Sequence, residues 1–190
     1  MTLHTYIYLT GLLLGTVVRV IYTRRYRREQ WQERRDTRTD RLLLALIGVA
    51  MLLPLAAIFS DWLTFADYAL PRWTLVPGGL LTIAFVWLLW RSHADLGDNW
   101  AKTLEIRQAH QLVSSGVYRR MRHPMYAAHL LWGLSLPFLI GNWLAAAPLF
   151  LTSWLLYRYR APQEEAMMID RFGEAYLAYR SRSGSIWPRG

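Results

Sequence analysis

The chain has 190 residues, of which 54% are hydrophobic and 14% aromatic, and it carries a formal net charge of +9. This length favours one multi-pass unit over residues 1–190 rather than two soluble domains. The absence of cysteine excludes disulfides and Cys-ligated zinc. The basic residues gather at the ends of apolar runs, which indicates membrane topology rather than a nucleic-acid surface, so we expect no nucleic-acid partner.

Five apolar runs predict an all-α integral membrane fold of about five transmembrane helices. They are Leu3–Tyr22, Leu42–Ser60, Thr74–Trp90, Ala127–Ile140 and Trp143–Tyr157. The last two are short against the roughly 20 residues that a span needs, and only Gly141-Asn142 separates them, so we predict a tight C-terminal hairpin. We divide the chain into an N-terminal two-span part, residues 1–73, and a catalytic core, residues 74–190. The first run lacks a basic n-region before it and a small-residue cleavage site after it, so we expect no cleavable signal peptide.

The basic residues predict the orientation of these helices. Eight Arg lie in 23–41, six Arg or Lys in 91–125 and six in 158–190. With five spans and the N-terminus outside, all three segments lie on one side, which the positive-inside rule makes the cytoplasm. Lys102 is the only lysine, and this Arg-heavy usage hints at a GC-rich bacterial genome. We therefore expect a bacterial inner (plasma) membrane protein with its C-terminus in the cytoplasm.

A dense polar segment, residues 110–126, lies against the fourth run. Charge placed against a membrane is costly, so its presence calls for a functional explanation. His110 and His123 offer imidazoles, and Tyr118 and Tyr126 offer flat rings with a polar tip, suited to adenine or ribose. Two interpretations stay open on chemistry alone: a pocket for a nucleoside cofactor, or a juxtamembrane loop whose arginines bind lipid headgroups.

A second polar cluster follows the fifth run. Arg160 and Glu164 share a helix face if the helix is continuous, and the fork of an arginine can bind a carboxylate with two hydrogen bonds. By spacing alone an ordinary interfacial ion pair is the favoured interpretation. We predict a separate cytoplasmic helix that begins at Pro162, because proline suits a first helical position. Pro162 also biases Ala161 away from helical geometry, which puts the shared face in doubt.

Other catalytic signatures are missing from the sequence. His110, His123 and His129 have no metal-ligand spacing, so we expect no metal site. The chain has no phosphate-cradling glycine loop, nucleophile elbow or dinucleotide fingerprint.

The motifs together resemble the isoprenylcysteine carboxyl methyltransferase family of integral membrane enzymes, which is similar to the membrane phospholipid methyltransferases. The resemblance covers roughly residues 90–188. The matching segments are Leu96–Trp100, His110–Val113, Gly116–Tyr118, Arg122–Tyr126, Glu164-Glu165 and Phe172–Tyr179. The first two spans resemble the family only in being apolar helices and share no sequence motif with it.

The resemblance implies S-adenosylmethionine as methyl donor and a lipophilic or prenylated acceptor in the bilayer. By position it implies ten cofactor contacts: His110, Gln111, Leu112, Val113, Tyr118, His123, Pro124, Met125, Tyr126 and Glu164. Arg160 falls where the family places a ligand of the substrate carboxylate, and Arg182 falls on another shared basic position. Pro162 departs from the family's uninterrupted acidic run.

We therefore expect methyl transfer to a membrane-embedded acceptor, with the carboxylate of an isoprenylcysteine-like molecule favoured. A carboxylate is ionised at pH 7 and needs no general base. An amine or thiol would need one, and His123, Glu164 and Glu165 are the candidates. The alternatives are N-methylation of phosphatidylethanolamine and a non-catalytic lipid- or nucleoside-binding membrane protein.

Overall fold

The computed structural model describes residues 1–25, 33–34, 37–97, 105–106 and 112–189. Within these ranges lie six α-helices: α1 Leu3–Arg25, α2 Arg38–Phe59, α3 Leu75–Leu96, α4 Pro124–Leu139, α5 Trp143–Phe172 and α6 Glu174–Arg182. Two short antiparallel strands, β1 (Glu33–Arg34) and β2 (Glu105–Ile106), pair two of the connecting segments. The predicted all-α fold is confirmed.

Three helices are long and apolar enough to cross a membrane by length and composition. These stretches are Leu3–Arg24, Arg38–Phe59 and Arg72–Leu96. Helix α4 has 16 residues, which at 1.5 Å per residue gives about 24 Å, and the second half of α5 is strongly polar. A multi-pass membrane fold follows, while the count of five spans stays a prediction.

The helices alternate in direction, so the connections collect at two ends. At one end His4 Nε2 lies 2.9 Å from Thr74 Oγ1, and the Tyr68 hydroxyl donates to the Ile140 carbonyl at 2.9 Å. Asn142 caps the start of α5, because its side-chain oxygen accepts from the Ala145 amide at 3.0 Å. The predicted Gly141-Asn142 hairpin tip is therefore confirmed. The polar segments lie at the opposite end.

Helices α3 and α4 pack against each other, and α4 also packs on α5. Helix α1 packs on α3 and α4, whereas α2 packs on α5. Aromatic rings fill the contact of α1 with α3 and α4. The ring of Trp132 stacks on that of Tyr8, with centroids 5.4 Å apart, and on that of Phe85, with centroids 4.8 Å apart. A Cβ at Gly15 would lie 2.7 Å from Phe85 Cζ, so only glycine allows α1 this close to α3. These contacts fix α1 and α3 around the space in which the candidate site lies.

The prediction of a separate helix beginning at Pro162 is wrong. Helix α5 runs through Pro162 and ends at Phe172, where Gly173 adopts a φ of 53° and α6 follows. Proline removes one backbone N–H, which breaks a helix only if nothing else holds the turn. Here the Gln163 side chain donates to the Tyr159 carbonyl at 2.8 Å, and buried Arg160 and Ala161 fix the preceding turn. Tertiary contacts therefore override the local bias of proline.

Candidate functional site

A cavity of about 750 Å³ extends from the polar residues around His123 and Glu164 into the space between the helices. Nine predicted site residues line it: Leu112, Val113, Tyr118, His123, Pro124, Met125, Tyr126, Arg160 and Glu164. The predicted contacts His110 and Gln111 lie outside the described residues. Residues from the segment before α4 and from the middle of α5 thus meet around one space.

Arg182 is the predicted residue that the structure leaves outside this group. It is the last residue of α6, its side chain is exposed, and it does not line the cavity.

His123 lies between two carboxylates of α5. Its Nδ1 is 3.4 Å from Glu164 Oε2, and its Nε2 is 3.1 Å from Glu165 Oε1. Burial opposes a charge on the ring, but the two carboxylates outweigh it and raise the pKa of His123 above its ordinary value. His123 is thus paired with both glutamates, and its Nε2 is within hydrogen-bonding distance of Glu165.

Glu165 joins three cationic groups. Its Oε1 accepts from Arg122 Nε at 2.8 Å as well as from His123, and its Oε2 lies 3.2 Å from Arg180 Nε of α6. Burial alone would raise the pKa of Glu165, but its hydrogen bonds to His123 and Arg122 lower it to about 2. Glu165 therefore connects α5, the start of α4 and α6.

Glu164 faces the cavity from the other side of His123. Its Oε1 accepts from the Tyr126 hydroxyl at 2.6 Å and lies 3.8 Å from Arg160 Nε. Burial opposes ionisation, but His123 and Arg160 outweigh it and lower the pKa of Glu164. Because α5 is continuous, Arg160 and Glu164 share one face, and the doubt that Pro162 raised about this spacing was wrong.

Asp40 of α2 is a site residue that the sequence analysis missed. Its side chain is buried, and its Oδ1 lies 3.5 Å from Arg160 Nε. The other oxygen, Oδ2, accepts from the Thr37 amide at 2.8 Å in a capping box that begins α2. The Thr-x-x-Asp spacing before an apolar run predicts the cap. No sequence signal joins Asp40 to Arg160, since they lie on distant helices.

A turn before α4 is fixed to the end of α3. The backbone makes a 3-10 turn at Gly116–Arg119, where Gly116 has a φ of 57° and the Val117 amide donates to Asp95 at 2.8 Å. The buried Tyr118 hydroxyl donates to the Ser92 carbonyl at 3.2 Å. This anchoring places the Tyr118 ring at the cavity wall.

The C-terminal segment closes the site from the opposite side. The His123 amide donates to the Ser185 carbonyl at 3.0 Å, and the Tyr179 hydroxyl donates to the Tyr118 carbonyl at 2.7 Å. The Ser185 hydroxyl lies 2.8 Å from the Tyr157 hydroxyl of α5. The start of α4, α5 and the tail are thus held together by backbone and side-chain bonds.

The rest of the cavity is largely apolar. Its lining passes between α1 and α2 through Leu12, Gly15, Thr16, Leu44, Ala45, Ile47, Gly48 and Met51, with Phe85 and Trp132 behind them. We call this part the apolar limb. Its prominent polar contact joins Arg19 of α1 to His129 of α4 at 3.0 Å. His129 Nδ1 lies 2.7 Å from the Met125 carbonyl, so the ring is assigned as neutral with Nε2 accepting from Arg19.

The arrangement combines two chemical environments in one space. At the polar end, carboxylates, aromatic rings and an arginine suit a ligand that carries both positive and negative groups. At the other end, aliphatic and aromatic side chains suit a hydrocarbon chain. Such a cavity accommodates a polar reactant beside an amphiphile.

Comparison with known proteins agrees with this geometry. Residues 79–170 match the sequence model of the isoprenylcysteine carboxyl methyltransferase (ICMT) family, so the resemblance found in the sequence is confirmed. A protein-S-isoprenylcysteine O-methyltransferase of Homo sapiens is 30% identical over 135 residues, covering 66% of this chain and 48% of the human protein. The Xenopus laevis protein of the same name is 37% identical over 135 residues, covering 66% and 47%.

A plant relative and a solved structure extend the match. Protein-S-isoprenylcysteine O-methyltransferase A of Arabidopsis thaliana is 27% identical over 154 residues, covering 80% of this chain and 78% of the plant protein. The eukaryotic intramembrane Ras methyltransferase ICMT superimposes with a TM-score of 0.58 at 23% identity, covering 80% of this chain and 54% of that one. This likeness shows a shared fold. The chain spans about half the length of the animal relatives that it matches.

Proposed function

Because residues 79–170 belong to the isoprenylcysteine carboxyl methyltransferase family, we propose that the chain methylates the carboxylate of a lipophilic, isoprenylcysteine-like acceptor with S-adenosylmethionine. The observation that carries the proposal is the single cavity, which joins the Arg160–Glu164 face to the apolar limb. A polar methyl donor and an amphiphilic acceptor can meet there without either leaving its preferred environment.

The residues at the polar end fit the donor. Glu164 offers a carboxylate whose pKa is lowered by His123 and Arg160, so it stays ionised and can accept hydroxyl or ammonium hydrogens. The rings of Tyr118 and Tyr126 and the backbone of Leu112 and Val113 line the adjoining wall and suit a nucleoside. When bound, S-adenosylmethionine supplies an electrophilic methyl group on a sulfonium, and the protein supplies orientation.

Arg160 is the proposed anchor of the acceptor's carboxylate. Its Nε faces Asp40 and Glu164 at 3.5 and 3.8 Å. Across the described ranges, its two terminal nitrogens have no hydrogen-bond partner. A guanidinium whose Nε lies beside two carboxylates can present those nitrogens to the acceptor's carboxylate as a pair, which fixes the direction of the attacking oxygen.

The ion-pair network favours a carboxylate acceptor over an amine. An amine must lose a proton, so its methylation needs a base near neutral pKa. Carboxylates lie beside both ring nitrogens of His123 and raise its pKa, and Glu165 has a pKa of about 2 and three ion-pair partners. Both groups are engaged in ion pairs, so neither is free to take a proton from an amine. A carboxylate needs no proton removal, so the proposed reaction proceeds without one.

The apolar limb is the proposed place of the acceptor's hydrocarbon chain. Its walls come from α1 and α2, which pack on different partners. A lipid chain can therefore enter from the bilayer between these helices. We place the polar end at the cytoplasmic face, because the described parts of the three basic segments lie at this end and the positive-inside rule applies. The arginine-rich composition supports a bacterial inner membrane.

The first test measures donor binding in detergent. Titration calorimetry with S-adenosylhomocysteine, the demethylated donor, is expected to give micromolar affinity that His123→Ala abolishes. His4→Ala is the matched control, because it removes another buried histidine with one hydrogen bond at the far end of the bundle. His4→Ala should retain affinity. No binding to folded wild-type protein would reject the methyltransferase proposal.

The second test measures transfer. Labelled S-adenosylmethionine and S-farnesyl-N-acetylcysteine are expected to give a base-labile methyl ester, whereas the preformed ester should accept no label. Label in phosphatidylethanolamine would support the lipid N-methyltransferase instead. Donor binding without transfer to any acceptor would support a non-catalytic membrane protein.

A further inference from the structure

We propose that Asp40 is a positioning residue for the acceptor: its carboxylate holds Arg160 so that the terminal nitrogens of Arg160 face the acceptor's carboxylate. The inference rests on the proposed function and adds a residue from α2, which lies outside the family match over residues 79–170.

Burial is the first observation. Asp40 is 1% exposed and Arg160 is 6% exposed. A buried ionised pair is expensive and contributes little net stability, so its presence indicates another role. The cap of α2 does not need Oδ1, since Oδ2 alone accepts from the Thr37 amide at 2.8 Å and from its hydroxyl at 3.0 Å. Oδ1 remains directed at Arg160.

The pair is close but does not form a hydrogen bond. Asp40 Oδ1 and Arg160 Nε are 3.5 Å apart, and both atoms are buried without a hydrogen-bond partner among the described residues. Native proteins pair nearly all such atoms, and exceptions cluster at functional sites. A movement of about half an ångström would bring them to hydrogen-bonding distance. We infer that binding of the acceptor closes this contact.

Glu164 is the competitor for Arg160. Its Oε1 lies 3.8 Å from the same Nε, one helical turn along α5. If the charge of Asp40 is lost, Arg160 is drawn to Glu164 alone, and its terminal nitrogens turn towards the donor side. Asp40 thus keeps the arginine centred between the donor and acceptor regions.

The test is Asp40→Asn. Asparagine has the same shape and can still accept from the Thr37 amide, so the helix cap is retained. We expect the KM of the farnesylcysteine acceptor to rise about tenfold, with kcat and the affinity for S-adenosylhomocysteine changed less than about twofold. The control is Thr37→Ala, which weakens the cap but keeps the carboxylate. It should lower the melting temperature and leave KM unchanged.

An inhibitor pair separates positioning from a structural role. Asp40→Asn should weaken the binding of a non-reactive carboxylate analogue of the acceptor about tenfold. The binding of the matching analogue with a carboxamide in place of the carboxylate should be unaffected. Equal weakening of both would overturn the proposal, as would an unchanged KM.

A double variant keeps the test valid if Asp40→Asn does not fold. D40N/R160Q removes both buried charges together, which is better tolerated than one unpaired charge. Its KM should equal that of R160Q, because Asp40 acts only through Arg160; a further rise would overturn the proposal. Failure of the wild-type protein to methylate any carboxylate would instead reject the proposed function, whatever the variants do.

Discussion

Replacing Glu165 by glutamine should cost about 3 kcal/mol of stability at pH 7. The side chain is only 12% exposed and faces Arg122, His123 and Arg180. Its pKa falls from 4.5 to about 2 on folding, and at 1.36 kcal/mol per unit this corresponds to about 3 kcal/mol. Breaking a buried ion pair costs about 3–5 kcal/mol, which is the same range.

The sign of the pH dependence follows from the depressed pKa of Glu165. A carboxylate whose folded pKa is lowered stabilises the protein above its unfolded pKa, about 4.5, and loses that contribution as pH falls towards the folded value of about 2. The difference between wild type and Glu165→Gln should therefore be constant between pH 5.5 and 6, below the titration of His123, and should shrink below pH 4.5.

The assay is thermal unfolding in detergent, followed by tryptophan fluorescence. For a chain of this size, 3 kcal/mol corresponds to a drop of about 6–12 °C in the melting temperature. Glu174→Gln is the control, because Glu174 is exposed at the start of α6 and should cost far less. A drop below about 2 °C for Glu165→Gln, or a difference that grows on acidification, would refute the reasoning.

Three further predictions concern the same region. Because the pKa of His123 is raised on folding, its protonation stabilises the protein below about pH 6.5, and this contribution is lost as pH rises through the folded pKa. The melting temperature of the wild type should therefore fall at alkaline pH, and His123→Gln should remove that fall. An equal fall in the variant would contradict the prediction. Tyr126→Phe removes a 2.6 Å hydrogen bond to the donor-side glutamate and should weaken S-adenosylhomocysteine binding several-fold in calorimetry; unchanged affinity contradicts it. Gly116→Ala forces a φ of 57° on alanine and drives its Cβ into Asp95, which should cost about 1–3 kcal/mol in thermal unfolding, whereas Gly79→Ala, with open space, should be tolerated.

The sequence predicts the helices well because the bilayer demands long apolar runs. The hairpin at Gly141-Asn142 also follows from a local signal, because only these two residues separate the last two apolar runs. The motif at Arg122–Tyr126 and the pair Arg160 and Glu164, which the sequence singles out, line the polar half of the cavity.

Residues whose role depends on distant partners could not be predicted. In the sequence, Asp40 is an ordinary member of the capping box that begins α2. Its contact with Arg160 exists only because α2 packs on α5. Arg19 is a single charge in an apolar run, and its contact with His129 depends on the close approach of α1 to the α3–α4 pair. Periodicity indicates which face of a helix is buried but not which helix covers it.

The error at Pro162 has a physical reason that also accounts for the position of the site. Arg160 precedes the proline and faces α2, whereas Glu165 follows it and faces the start of α4 and α6. A break at Pro162 would separate these two sets of contacts. Because both sides are fixed by buried charged pairs, the helix continues through the proline, and three neighbouring helices are held to one rigid segment of α5 at the polar mouth of the cavity.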